Sequence, residues 1–511
     1  VEYVPYNFAG TPVLERELVE LHRIFTLPGL ELDPVRGTIE LMKRLLPTLA
    51  TAALLAGIAA SPAGAATAIA PAHGFAPRQL VVKFDGERRG RALALPAGAG
   101  VLRTAAALRD NPRVAYAEPD YVATASASEA DPSFILPNDP GTLEGASEAA
   151  TSAGDWAFKQ WNFLPFEGDS STERVSTSPG GIDAVDAWRN LAELGRPGAE
   201  GVTVAVLDTG IAYRDLGGKF VRSPDFASGQ FAKGYDFIDD DRLPLDENGH
   251  GTHVAGTIGE KTDNAVALTG LAYRAKLMPV RVLDKHGRGQ ASDIAKGIRF
   301  AIAHHAQVIN MSFNFGCGKE VPEVDEALRE AYARGVVAVA SAGNVGSETC
   351  VSAPATGPRV IGVGGTTEGG CLGNYSLAGK GIDLVAPGGG TPGPGCPSVS
   401  ARPIYQVTLR ADSTQTFAIP SNYVGTSMAA AHVSGVAAMV LAADTYGGPR
   451  FSPPGGGAGA KPRVNGVAKQ LRRTARDLGL PATQQGAGLI DAARATEHFG
   501  PTPTEPLTAL K

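Results

Sequence analysis

The sequence is poor in cysteine, tryptophan and methionine, with Cys 4, Trp 3 and Met 5 in 511 residues. Four cysteines are too few to staple a coreless scaffold, and they allow at most two bridges in a chain long enough for a large core. An excess of positive charge is also missing. Lys+Arg 46 against Asp+Glu 52 leaves a formal net charge of -6, which gives no support to binding nucleic acid through its phosphates. Uninterrupted apolar runs are short: Leu45–Ala60 is broken by Pro47 and Gly57 and falls below a bilayer span. No H-E-x-x-H metal motif and no G-x-S-x-G elbow occur. Glycine and proline are abundant instead (Gly 64, Pro 37). They show no collagen period, so they read as many turns in a globular chain that is 43% hydrophobic.

Residues 1–41 carry too little apolar periodicity to bury a core. Met42-Lys43-Arg44 then opens a basic, apolar and small-residue pattern that ends at Ser61-Pro62-Ala63-Gly64-Ala65. That pattern predicts a cleaved signal peptide over 42–65, with translation starting at Met42 and 1–41 an upstream extension. Export implies a secreted protein free of the membrane after cleavage, in a compartment where cysteines pair.

Strands at Gln79–Phe84 and Val114–Tyr116 with a helix at Val101–Arg109 predict a small α+β module over 77–122. An exposed linker and approach follows over 123–183. From Val202 the pattern changes. Apolar strands at Val202–Leu207, Lys276–Val282, Val308–Ser312, Val336–Ala340 and Val360–Val363 alternate with helices such as Ala291–His304 and Val324–Arg334. This alternation predicts an α/β domain, a mostly parallel sheet covered on both faces. Residues 496–511 form a tail.

Four segments carry chemistry. Asp208 directly follows the first of these strands, within Asp208-Thr209-Gly210, at the carboxyl end where sites in such sheets lie. Read alone, it is equally a turn. His250-Gly251-Thr252-His253 opens a helix, with Gly249 and Gly251 admitting close backbone approach. His253 falls a turn further in and reads as structural. Ser427 precedes the apolar helix Met428–Leu441. A serine there is a plain cap or a nucleophile that the helix field favours. Asn344 ends another strand, as a turn residue or as an amide donor to an oxyanion.

Together these segments resemble the subtilisin-like serine proteases, the subtilase family, over roughly Ala184 to Ala493. The resemblance implies a three-layer subtilisin-like fold over 184–495 and peptide-bond hydrolysis by Asp208, His250 and Ser427, with Asn344 at the oxyanion and no cofactor for catalysis. Asn310-Met311-Ser312-Phe313 resembles the family's pocket strand, and Val282–Gly289 its second substrate strand, so Ser312, Phe313, Asn314, Gly287 and Gly289 are expected to meet protein or peptide substrates. Asn111–Asp120 resembles the end of a propeptide, which implies that 77–122 is the chain's own intramolecular inhibitor, cut off by the enzyme itself. Two features depart from the family: Ala431 stands where proline is usual, and Asn314 where glycine is usual.

A monomer is expected. Of the three cysteine pairings, Cys317–Cys350 and Cys371–Cys396 each join nearby loops; free thiols are the alternative. The acids Asp236, Asp239, Asp240, Asp241 and Asp246 form a solvated loop or a calcium site. Structural calcium, common in the family, also suits the loop Glu260–Gly270 through Asp263 and Asn264. Two other functions stay open: a catalytically silent binding protein, and an esterase or amidase with the same triad.

Overall fold

The computed structural model describes residues 75–87, 90–96, 99–121, 136–143, 155–166, 176–344, 350–396, 401–446 and 460–497. The expected signal peptide, the upstream extension, most of the linker and nearly all of the tail lie outside these residues. The chain divides into two compact units with the boundary at Ala127 and Ser128.

The first unit holds strands β1 (Phe75–Phe84), β2 (Arg91–Ala94) and β3 (Val114–Tyr121) with helix α1 (Val101–Arg109). The strands form an antiparallel sheet in the order β2-β1-β3. Leu80 and Val82 alternate onto one face, as the period of a strand requires, and bury with Leu95, Ala105 and Ala117. So small a core gives this unit little stability of its own.

The second unit is built on seven parallel strands: β4 (Thr203–Asp208), β5 (Tyr235–Asp236), β6 (Lys276–Arg281), β7 (Val308–Met311), β8 (Val337–Ser341), β9 (Val360–Thr366) and β10 (Leu384–Pro387). Their order is β10-β9-β8-β7-β4-β6-β5. A small hairpin, β11 (Thr408–Leu409) with β12 (Phe417–Ala418), stands apart from the sheet. The main helices are α2 (Ala184–Glu193), α3 (His250–Gly259), α4 (Ala291–Ala303), α5 (Pro322–Ala333), α6 (Thr426–Ala443) and α7 (Ala460–Thr474). Helices α4 and α5 pack together and onto the sheet, and α3, over β4 and β6, packs with α6, over β7 to β10, which makes three layers.

Helix α6 is the only described helix long and apolar enough to cross a membrane, and all of it is buried in the protein. An all-round apolar helix of this kind is a core helix. The region expected as linker and approach ends sooner than 183. Trp156, Trp161 and Phe163 are fully buried in the main core. Their indole N–H groups donate to the Pro137 carbonyl at 2.9 Å (Trp156) and the Pro403 carbonyl at 3.0 Å (Trp161). Strands β5 and β10 were not anticipated, being only two and four residues long.

Candidate active site

Strand β4 pairs with β6 on one side and β7 on the other, so its carboxyl end is fixed in the middle of the sheet. Asp208, its last residue, is fully buried. Val282 and Leu283 N–H groups hold its carbonyl at 2.9 and 3.1 Å. Its side-chain Oδ1 accepts from Thr209 N at 2.8 Å and from His250 Nδ1 at 2.7 Å.

His250 is placed by the residues just before α3. Asp246 is buried, and its carboxylate accepts from Thr209 Oγ1, Asn248 N, Gly249 N and Thr252 N, each at 2.9 Å, and from Thr252 Oγ1 at 2.6 Å. These donors fill its lone pairs, so Asp246 caps the histidine helix. Gly251 brings the helix against the end of β4: a Cβ there would lie 2.1 Å from the Gly210 carbonyl oxygen. Burial disfavours the His250 imidazolium, but the Asp208 charge and hydrogen bond, with Asp246 adding, outweigh it, so its pKa lies above the ordinary value.

The two other histidines near the site behave oppositely. His253 is fully buried, donates Nε2–H to the Ile404 carbonyl at 3.0 Å and stacks on Tyr423 with centroids 4.0 Å apart. Burial pushes its pKa down to about 3. His432 bonds the Met428 carbonyl and the Asn162 amide, each at 2.8 Å, and burial pushes it down to about 4. Both are neutral structural groups. Ala431, beside it, is fully buried in the core.

Ser427 sits in the first turn of α6. Its Oγ donates to the Ser312 carbonyl at 3.0 Å, and Ser312 Oγ donates back to the Ser427 carbonyl at 2.8 Å. The serine and the expected pocket strand are therefore locked together. Asn344 Oδ1 accepts from Thr426 N at 2.8 Å and Thr426 Oγ1 at 2.9 Å. That pair of donors on Oδ1 orients the amide with Nδ2 turned away from them. Gly425 (φ +153) allows this approach, since a Cβ would lie 3.0 Å from Asn344 Nδ2. Asp208, His250, Ser427, Asn344 and Ser312 are thus carried by strand ends and helix starts at one end of the sheet.

The outer residues divide. Phe313 is half-buried against Phe315, and its carbonyl accepts from Ser341 Oγ at 3.3 Å. Asn314 is exposed, its Oδ1 accepting from Gly316 N at 3.2 Å. Gly287 lies in an exposed turn at φ +71, whereas Gly289 packs so closely that a Cβ would meet the Val282 carbonyl at 2.0 Å. Cys317 is bonded to Cys350 and Cys371 to Cys396.

The acidic loop before His250 is organised by Arg281, which the sequence reading passed over. Its guanidinium is buried and bonds Asp236 at 2.8 Å, Asp239 at 2.7 Å and Glu247 at 2.7 Å. Asp241 is exposed and accepts from Leu243 N at 2.7 Å, closing a turn. The loop after α3 differs. Asp139 accepts from Asp263 N and Asn264 N, both at 3.0 Å, and Asp225 accepts from Asn264 Nδ2 and Leu268 N, both at 2.9 Å. Glu260 is fully buried, and neither carboxylate oxygen has a hydrogen-bond partner. Burial raises the pKa of Asp139 to about 6 and moves those of Asp225 and Glu260 upward. Among the described residues no three acidic, histidine or cysteine side chains converge on one metal position. A hard cation here would therefore also draw on amide and carbonyl oxygens, such as those of Asn138 and Asn264. Asp139 and Asp225 lie far from this loop in sequence, and no spacing rule points to them.

The family model for peptidase S8, described as the Subtilase family, matches residues 199–488. The chain belongs to the subtilase family. Thermitase of Thermoactinomyces vulgaris is 34% identical over 264 residues, 51% of this chain and 80% of that protein. The thermophilic serine proteinase of Bacillus sp. (strain AK1) is 38% identical over 48% of this chain and 53% of its own length. The extracellular protease of Xanthomonas campestris pv. campestris is 34% identical over 52% of this chain and 47% of its own length. The chain thus spans about half the length of these last two relatives. Among solved structures, one of a protease from Pseudoalteromonas arctica PAMC 21717 aligns with TM-score 0.52 and 29% identity, over 71% of this chain and 98% of that one.

Proposed function

We propose that this chain is a secreted serine endopeptidase, made as a zymogen that processes itself. The observation that carries the reading is the 2.7 Å bond from buried Asp208 to His250 Nδ1, in a site that also holds Ser427 at the head of α6. Ser427 Oγ, which here donates to Ser312, rotates to give its proton to His250 Nε2 as it attacks the scissile carbonyl carbon. Asp208 fixes the imidazole tautomer and stabilises the imidazolium. Asn344 Nδ2 and the Ser427 N–H stabilise the oxyanion, each donor contributing roughly 2.7–4 kcal/mol in the transition state. Collapse breaks the C–N bond, and the amine leaves with the proton from His250. Water, deprotonated by His250, then hydrolyses the acyl ester and restores Ser427.

The small unit at 75–121 is read as the propeptide: its limited core suits a piece that is released, and the polar stretch after it suits a cleavage site. Two disulfides and the extracellular protease among the relatives support export. Structural calcium is proposed at Asp139, Asp225 and the Asp263–Asn264 loop, where among the described residues the buried carboxylates form no ion pair. Casein hydrolysis by the chain expressed from Met42, with and without a serine-directed inhibitor, tests the activity. Hydrolysis that survives both the inhibitor and Ser427→Ala would refute it.

A further inference from the structure

Two exposed segments meet beside His250. Thr408 Oγ1, at the start of the β11–β12 hairpin, donates to the carbonyl of Gly249, the residue before His250. A Cβ on Gly249 would lie 3.4 Å from the Leu409 carbonyl oxygen and 3.2 Å from the Tyr423 hydroxyl. The far end of the hairpin is tied to the loop that follows Asp208. Val221 N donates to the Thr414 carbonyl at 3.1 Å, Thr414 Oγ1 to the Lys219 carbonyl at 2.5 Å, and Gln415 Nε2 to the Gly218 carbonyl at 2.6 Å. Hairpin and loop are therefore one surface, anchored next to the residue that protonates the departing amine.

The charge of this surface runs against that of the chain. It carries Arg214, Lys219, Arg222 and Arg410 against Asp215 and Asp412, in a protein of net charge -6. Arg214, Lys219 and Arg410 are exposed. Among the described residues none of the four cations forms an ion pair. Asp215 Oδ1 accepts from the backbone N–H of Arg222 at 2.9 Å, and Arg410 Nε donates to the Phe417 carbonyl at 3.1 Å, which ties its stem across the hairpin. The resemblance gives the acyl half of a substrate to Ser312–Asn314 and Val282–Gly289, and among the described residues the hairpin has no hydrogen bond to either segment. What remains for the hairpin is the half that leaves past His250.

We propose that the β11–β12 hairpin and the 213–222 loop form a cationic wall that binds the residues C-terminal to the scissile bond and selects peptides carrying Asp or Glu there. The proposal rests on the endopeptidase reading of the same site. Exposed charges in water attract modestly, so two contacts give a preference of about fivefold to tenfold.

Internally quenched peptides test it, identical except for Glu, Ala or Lys at the second and third positions after the cleaved bond. Each rate is divided by that on a chromogenic amide with nothing but the chromophore after the bond. The expected kcat/KM order is Glu above Ala above Lys, spanning about fivefold or more, and falling below about twofold in 1 M salt. Lys219→Glu with Arg410→Glu should invert the order, and Lys219→Arg with Arg410→Lys should keep it. Equal rates for the three peptides in low salt, or an order the double charge reversal leaves in place, overturn the wall. If the amide and all peptides go uncleaved, the fault lies with the triad. Fluorescence anisotropy of the same peptides on Ser427→Ala then decides the wall, with tighter binding of the Glu peptide supporting it and equal binding refuting it.

Discussion

Two buried polar regions of this protein have similar acids and opposite balances. Around His250, Asp208 receives the imidazole and a backbone N–H, Asp246 receives five donors, and Arg281 gathers three more acids. Around the loop after α3, Asp139 and Asp225 have amide partners only, and Glu260 has none for either oxygen. Burying a carboxylate is costly unless something compensates. The first region pairs each of these acids within the chain, although Asp208 Oδ2 is left without a hydrogen-bond partner, and it is held in place for chemistry. The second has fewer partners for its buried acids, and that is the basis on which calcium is proposed there. The run of acids at 236–246 is bonded by one arginine, by hydroxyls and by backbone, and the scattered trio has fewer such partners.

If that contrast is right, changes to the first region should remove turnover and spare stability, and changes to the second should do the reverse. Ser427→Ala should lower kcat by about 10⁶-fold with peptide binding nearly intact. Expressed without other proteases, it should also accumulate with residues 77–122 still attached, as read by intact mass. Asp208→Asn should lower kcat about 10⁴-fold by favouring the wrong imidazole tautomer, measured in steady state. Asn344→Ala should cost about 10²- to 10³-fold in kcat with little change in KM, since the oxyanion forms only in the transition state.

Calcium removal should act elsewhere. Chelation of the Ser427→Ala protein, which cannot digest itself, should lower its melting temperature by about 5 °C or more, taking about 2.7 kcal/mol as the linkage from a site at a hundredfold excess over its Kd. Adding calcium back should restore it, and Asp225→Asn should abolish the response. The smallest effect is on pH dependence. The proposed base works as neutral imidazole, so kcat/KM is present above the His250 pKa and falls as the pH drops through it. Asp208 raises that pKa above the ordinary 6.5, so the acid limb should have its midpoint above 6.5 in a pH–rate profile.

Much of this was legible before any coordinates. Five of the seven strands follow from apolar runs, while Asp208, His250, Ser427 and Asn344 stand out as polar residues at strand ends and helix starts whose roles rest on the resemblance to the subtilases. Those signals are local, a few residues long. What stayed hidden depends on distant pairs. Arg281 is one residue in an apolar strand, and only the register of β6 beside β5, which sets it opposite Asp236, brings it to the 236–247 loop. Asp139 and Asp225 meet the Asp263–Asn264 loop across the fold. The hairpin beside Gly249 has two-residue strands, too short for any period to be seen.

The central claim is that Ser427 is activated by His250 and Asp208. A fluorophosphonate that labels activated serines tests it most directly, read by peptide mass mapping of the purified mature enzyme. One adduct on the peptide containing Ser427, lost in Ser427→Ala and formed at least about a hundredfold more slowly in Asp208→Asn, is the predicted result. An adduct on another serine, or none in a preparation that still hydrolyses casein, would contradict the account.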